Sequence, residues 1–253
     1  MSRSLSLIGM RGGVGCTSLA ASLGHALSSH GQRVLLVDMS PDNLLGLHFN
    51  LPVDEPLGWA RAEIDRNDWR DCAYAPTQGL ALLPYGLVSE EQSREIERRL
   101  APWPGIVREQ LADFAGEYDW MLFDLPQWLP AHVASVQGEG GCDLNFRVAD
   151  VDPACHLRLQ RNGGLRPGER LLANRYDPSI QLQRNLMQVW LHEHEHGLLP
   201  VTVHEDAAVP ESLAMKLPIG LHAPDSLATS DIDGLALWCH AEAARAKSAR
   251  GAT

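Results

Sequence analysis

Eight consecutive residues, Arg11-Gly12-Gly13-Val14-Gly15-Cys16-Thr17-Ser18, place three glycines, a cation and two hydroxyls directly after an apolar run. Glycine lets backbone N–H groups close around phosphate oxygens, and a helix opening at Thr17 adds the partial positive charge of its N-terminus. Thr17 also offers a hydroxyl to a magnesium ion. The strict G-x-x-x-x-G-K-S/T pattern fails twice, because Met10 holds the first glycine position and Cys16 the lysine position. Taken alone, the segment reads equally as a phosphate cradle or as an ordinary strand-to-helix turn.

Two carboxylates supply the context. Asp38 ends the run Arg33–Asp38 and is followed by Met-Ser40-Pro41-Asp42-Asn43, where a carboxylate facing magnesium is expected. Asp124 ends Trp120-Met-Leu-Phe-Asp124 after four bulky residues, as in a Walker B strand. Each aspartate by itself also reads as a cap at a strand end. Both following a glycine loop, in this order, point to magnesium-dependent nucleotide binding.

The elements that must position these groups alternate along the chain. Strands are predicted at Ser4–Ile8, Arg33–Asp38, Leu80–Pro84, Trp120–Asp124, Asp143–Val148, Leu171–Asn174 and Leu199–Val203. Helices are predicted at Thr17–Ser29, Glu90–Ala101, Ile106–Ala115, Gln181–His196 and Ile232–Lys247, with the Gly-rich segment Gly138–Gly141 a loop. Continuous apolar strands separated by helices imply an α/β, doubly wound, mostly parallel sheet with helices on both faces, the P-loop NTPase arrangement. No repeat or linker interrupts the chain, so one domain is expected over residues 1–253, with 248–253 a frayed tail.

Composition narrows the function classes. With 253 residues, 45% of them apolar, the chain can bury a substantial core. Its net charge of −11 repels a phosphate backbone, so no nucleic-acid partner is expected. No apolar run reaches the ~20 residues of a membrane span, and the start of the chain lacks a signal-peptide pattern. Five cysteines without a C-x-x-C pair suit reduced thiols and a cytoplasmic setting.

Together these motifs resemble the deviant Walker A family of ATPases, which includes the MinD and ParA proteins, and within it the BcsQ branch of bacterial cellulose biosynthesis proteins. The family loop K-G-G-x-G-K-S/T is matched from Arg11 to Thr17 except at its two lysines, and the BcsQ branch likewise carries R-G-G-V-G and a small residue. DMSPDNLLGLHFN (Asp38–Asn50), GWARAEIDRNDWRD (Gly58–Asp71), VDPACHLRL (Val151–Leu159) and LLPVTVHEDAA (Leu198–Ala208) extend the resemblance over nearly the whole chain.

The resemblance implies specific roles. Gly12, Gly13, Val14, Gly15, Cys16, Thr17 and Ser18 would bind the ATP phosphates, and Thr17 with Asp124 and Asp38 would manage Mg2+. Arg11 occupies the position of the signature lysine, which reaches across a nucleotide-sandwich homodimer; arginine keeps the charge and adds a forked donor array. Asn174 falls where the adenine edge is bound, and His204 and Asp206 lie in the stretch near base or ribose. Arg158, past the fifth strand, reads either as a phosphate ligand replacing the missing lysine or as a surface arginine.

The departures bear on mechanism. Cys16 removes the ammonium that bridges the β- and γ-phosphates, and Ser40 replaces the second aspartate of the D-x-D switch, leaving Asp38 as a possible catalytic group. Each such electrostatic group is worth about 3–4 kcal/mol of barrier, so slow or absent hydrolysis is expected. The resemblance thus implies an ATP-binding, nucleotide-gated dimeric regulator of bacterial cellulose synthesis. It would work with a small BcsR-like companion and other cellulose synthase complex subunits, recruited through them to the inner face of the plasma membrane. The alternatives are a ParA-like positioning ATPase, for which the two lysines are missing, and a nucleotide-free scaffold.

Three further features have plainer readings. His192 and His196 share a helix face in metal-pair spacing, but an exposed polar helix end is favoured. Trp59, Trp69 and Trp103 read as core or as partner anchors. The terminal helix, with Leu235, Leu237, Trp238 and Ala241 on one side, is expected to pack on the domain rather than on a membrane.

Overall fold

The computed structural model describes residues 2–138 and 141–250. Residues 139 and 140 of the predicted glycine loop and the last three residues of the predicted tail lie outside them. Seven strands, β1 (Arg3–Gly9), β2 (Val34–Asp38), β3 (Tyr74–Thr77), β4 (Leu80–Leu83), β5 (Trp120–Leu125), β6 (Leu144–Asp150) and β7 (Glu169–Asn174), join in one sheet. Their order is β3-β4-β2-β5-β1-β6-β7, and every pairing is parallel except β3 with β4. The doubly wound, mostly parallel α/β fold expected from the sequence is therefore present.

Among the described residues the α-helices are α1 (Cys16–Ser29), α2 (Trp59–Asp65), α3 (Glu90–Leu100), α4 (Ile106–Gln110), α5 (Pro130–Gln137), α6 (Pro153–Arg161), α7 (Gln181–Glu193), α8 (Ala208–Ala214), α9 (Ile219–His222) and α10 (Leu227–Arg250). Alternation along each strand divides the core in two. Leu5 and Leu7 of β1 and Leu36 of β2 pack under α1, α7 and α10 on one face. Ile8, Leu35 and Phe123 pack under α2, α3 and α5 on the other. The central strands β2 and β5 are buried along their full length, which is why they read as continuous apolar runs.

Local chemistry sets the helix starts. Ser89 and Gln92 form a reciprocal capping box on α3. Asp152 accepts from the Cys155 N–H at 2.7 Å, and Pro153 follows at the first position of α6. Helix α5 has no cap of its own. Glu97 of α3 accepts from the Ala131 and His132 backbone N–H groups instead, and also pairs with the His132 ring.

Several sequence expectations are corrected. Leu199–Val203 is not a strand: it runs beside β7 through isolated bridges and bonds such as Leu199 N–H to the Leu171 carbonyl, because Pro200 has no N–H to continue a ladder. The edge strand β3 was not expected from Tyr74-Ala-Pro-Thr77. The helix expected to run through His196 ends at Glu193, so His192 and His196 do not share a helix face, and no metal-binding cluster occurs among the described residues. The segment expected as helix Ile106–Ala115 is α4 followed by a tighter 3-10 turn, Ala112–Gly116. Helix α10 starts at Leu227 and buries Ile232, Leu235, Ala236 and Cys239, whereas Leu237 faces solvent. Trp59 is fully buried with Trp69 against it at 5.1 Å, and Trp103 is exposed.

Candidate functional site

The chemistry-bearing segments converge at the carboxyl edge of β2, β5 and β1, adjacent strands in the sheet. The glycine loop leaves β1 after Gly9 and enters α1 at Cys16. Gly13 and Gly15 have φ of +78° and +79°, a conformation that favours glycine. At Gly12 and Gly13 an added Cβ would meet no atom within 4 Å, so the backbone there borders open space. At Gly15 it would lie 2.8 Å from Asn174 Nδ2, which itself donates to the Val14 carbonyl at 2.8 Å. Asn174 thus fixes the loop from β7. Arg175, with φ +51°, donates from Nη1 to the Gly13 carbonyl at 2.8 Å.

Asp38 and Asp124 are register partners on β2 and β5 and are both buried. Asp38 accepts the Ser40 N–H at 2.9 Å and the Leu45 N–H at 3.0 Å, while Trp59 Nε1 donates to its backbone carbonyl at 2.7 Å. Burial raises the pKa of both carboxyls, and Asp124 raises that of Asp38 further. Hydrogen bonds from the Thr17 hydroxyl and Cys16 thiol act in the opposite direction on Asp124. Burial and the neighbouring Asp124 push the Cys16 thiol well up, so it is neutral and supplies no positive charge. Two buried carboxylates beside a threonine hydroxyl form a hard oxygen donor set, and their mutual repulsion is what a divalent cation relieves. The residues present therefore fit Mg2+.

Two neighbouring cavities lie at this edge. One, of about 570 Å³, is lined by the glycine loop with Ser40, Asp42, Asp124 and Trp128. The other, of about 380 Å³, lies between Asn174, His204, Asp206, Val209 and Pro210. Gly15, Ser18 and Arg175 border both. His204 is held by Asp231 at 2.8 Å and lies against Tyr176, with ring centroids 5.8 Å apart. Asp206 accepts the Ala208 and Ala228 N–H groups, tying the starts of α8 and α10 to this wall.

Arg11 does not extend freely. Its guanidinium lies 2.7 Å from both Asp150 and Asp152, and the hydrogen bond to Asp152 raises its pKa. Arg158 does not line the cradle: Nη1 donates to the Met10 carbonyl at 2.8 Å and the guanidinium sits over Trp128, on the far side of the end of β1. A second cation beside the glycine loop is Arg175, which sequence reasoning missed; its position immediately after Asn174 at a strand's carboxyl end was the available signal. Gln127 and His48 also line the cradle unforeseen. Among the described residues, Gln127 Oε1 and His48 Nδ1 are buried without hydrogen-bond partners, and burial lowers His48 to a pKa of about 4.

A glycine cradle at the carboxyl end of β1, flanked by acidic ends of neighbouring parallel strands, defines the MinD/ParA class of P-loop folds. The solved septum site-determining protein MinD of Pyrococcus horikoshii, in complex with Mg-ADP, matches 93% of this chain and 95% of its own, with TM-score 0.71 and 21% identity. A ParA family ATPase of Chlorobium tepidum matches 94% and 99%, with TM-score 0.72 and 19% identity. Within that class, residues 1–240 match the model of the cellulose biosynthesis protein BcsQ family, and the chain belongs to that family. The cellulose biosynthesis protein BcsQ of Salmonella typhi is 40% identical over 255 residues, 98% of each chain.

Proposed function

We propose that this chain binds ATP with Mg2+ in the cradle, closes over it as a homodimer, and serves cellulose synthesis as a slow nucleotide-locked switch. The observation that carries the reading is the conjunction of an open glycine cradle with Thr17 against the buried Asp38–Asp124 pair. Thr17, Asp38 and Asp124 would hold magnesium, which would supply the positive charge that neutralises the carboxylates and the incoming phosphates. Backbone N–H groups of the loop and of the first turn of α1 hold the phosphates. Asn174, His204 and Asp206 form the walls around the base and ribose in the smaller cavity.

Weak hydrolysis follows from side chains that are missing. Neutral Cys16 contributes no charge at the β–γ bridge, and the Ser40 hydroxyl cannot orient water as a carboxylate does. Arg175 also lies beside the loop, but it is committed to the Gly13 carbonyl and lies 3.5 Å from Asp150. Dimerisation is supported by the cradle's rim, where Leu44, Leu213 and Trp128 are 45, 39 and 71% exposed. A second copy seated there would bring its Arg11 toward the first copy's phosphates once the ion pairs to Asp150 and Asp152 exchange. Recruitment to the membrane is assigned to a small companion and other subunits of the cellulose synthase complex, since no described helix is long and apolar enough to cross a bilayer.

Calorimetric titration with ATP tests the cradle. Affinity should require magnesium and fall about tenfold or more in Thr17→Ala and in Asp124→Asn. Affinity unchanged in both variants, or no binding by the wild-type chain, defeats the reading and leaves the nucleotide-free scaffold.

A further inference from the structure

A larger cleft lies on the other side of the β1 end, between α5 and α6, with a volume of about 810 Å³. Among the described residues it is lined by Arg147, Arg158, Arg161 and Arg166 against one acidic residue, Glu169, in a chain whose net charge is −11. We propose that this cleft is a second anion site, for a small molecule carrying two or more phosphate groups.

The floor is built rather than incidental. On this face of β1 and β6, where the rest of the sheet presents side chains such as Leu35 and Phe123, it presents Ser6, Asn145 and Arg147. Ser6 Oγ donates to Asn145 Oδ1 at 2.7 Å, and Gln137 Nε2 donates to Ser6 Oγ at 2.8 Å. Arg147 pairs with Glu169, and their side chains are only 14 and 8% exposed. Glu169 also accepts the Arg166 backbone N–H at 3.0 Å. Burying such groups is costly unless they are satisfied, and a concave polar floor of this kind serves a ligand better than it serves stability.

The remaining guanidiniums are available. Among the described residues, Arg158, Arg161 and Arg166 have no carboxylate partner; Arg158 donates to the Met10 carbonyl and stacks over Trp128 at 5.3 Å. Guanidinium forks match phosphate oxygens bidentately, and several converging forks favour more than one phosphate. The volume falls within the ~300–1,000 Å³ of small-molecule sites, and the carboxamides of Gln127 and Asn162 on the walls suit a polar ligand.

The two clefts share a wall made by Gly9, Gln127 and Trp128. An anion gripping Arg158 therefore pulls on the Met10 carbonyl and on the Trp128 ring, both next to the nucleotide cradle. The assignment stands on the cleft's own residues and does not require the cradle to be occupied.

The test is titration of the full chain with tripolyphosphate in excess magnesium, with and without saturating ATP, read by calorimetry and by tryptophan fluorescence. Trp128→Phe identifies the reporting ring. We expect binding that persists with ATP present, a fluorescence change lost in Trp128→Phe, and about 30-fold weaker binding in the exposed double variant Arg161→Glu/Arg166→Glu. That variant should keep its ATP affinity. Tripolyphosphate binding abolished by ATP and indifferent to the charge reversal would put the anion in the cradle and overturn the proposal. Citrate or a polyglutamate peptide binding as tightly would make the cleft a general acidic-partner surface and overturn it equally. If ATP does not bind at all, the cradle reading fails by itself, while the Arg161→Glu/Arg166→Glu variant, whose positions line this cleft and not the cradle, still tests this proposal.

Discussion

The glycine loop offers a graded prediction, because its three glycines are held by different forces. Gly12 borders open space at an ordinary φ, so Gly12→Ala should change stability by no more than about 0.5 kcal/mol. Gly13 is equally open but has φ +78°, and Gly13→Ala should cost about 1–2 kcal/mol from the left-handed backbone alone. Gly15 adds a collision to the same backbone cost. Its Cβ would lie 2.8 Å from Asn174 Nδ2, and relieving that contact forfeits the buried bond from Asn174 to the Val14 carbonyl. That loss contributes about 1–3 kcal/mol more, for a total of about 2–5 kcal/mol. Urea unfolding of the nucleotide-free chain measures all three. In an Asn174→Ala background the collision is gone, so the double-mutant cycle should return a coupling of about 1–3 kcal/mol between positions 15 and 174. Equal costs at Gly13 and Gly15, or zero coupling, would refute the loop geometry on which the cradle depends.

Further outcomes follow from the same contacts. Because burial raises both Asp38 and Asp124, with Asp124 adding to the rise of Asp38, the folded chain binds more protons than the unfolded one, so magnesium-free stability should fall as pH rises through their native titration. Asp38→Asn or added magnesium should flatten that slope in pH-dependent denaturation; a rising slope contradicts the paired-carboxylate account. Cys16→Lys restores an ammonium beside the phosphates and should raise phosphate release by about tenfold or more, with an unchanged rate as the contrary result. Asn43 Oδ1 accepts the Tyr85 and Gly86 N–H groups at 3.0 and 3.2 Å, tying the segment after Asp38 to the end of β4. Asn43→Ala should lower the unfolding free energy by about 1–3 kcal/mol, and a change within error in thermal and urea melts would show those bonds to be replaceable by water.

The parts legible in the sequence are those whose signal is local. β1, the glycine loop and α1 are contiguous, and Asp38 and Asp124 each close a run of apolar residues, so both their order and their place at the sheet's carboxyl edge could be read directly. What escaped was set by contacts distant in sequence. Helix α5 carries a weak apolar pattern and is capped by Glu97 from α3, a partner that residues 130–137 do not reveal. Pro200 sits inside an apolar run that mimics a strand, although it breaks the ladder beside β7. Arg158 and Arg175 look alike as arginines after strand ends. Only the fold turns Arg175 toward Gly13 and Arg158 toward Trp128. The Arg11 ion pairs with Asp150 and Asp152 join residues some 140 positions apart and had no sequence signature.

The central claim, a nucleotide-locked dimer with little turnover, is tested most directly by solution mass from light scattering with magnesium–ATP, with ADP and without nucleotide, alongside phosphate release. The account predicts a dimer with ATP only, little phosphate released, and loss of the dimer in Arg11→Ala but not in Arg11→Lys. A mass indifferent to nucleotide, or a dimer that survives Arg11→Ala, would contradict it.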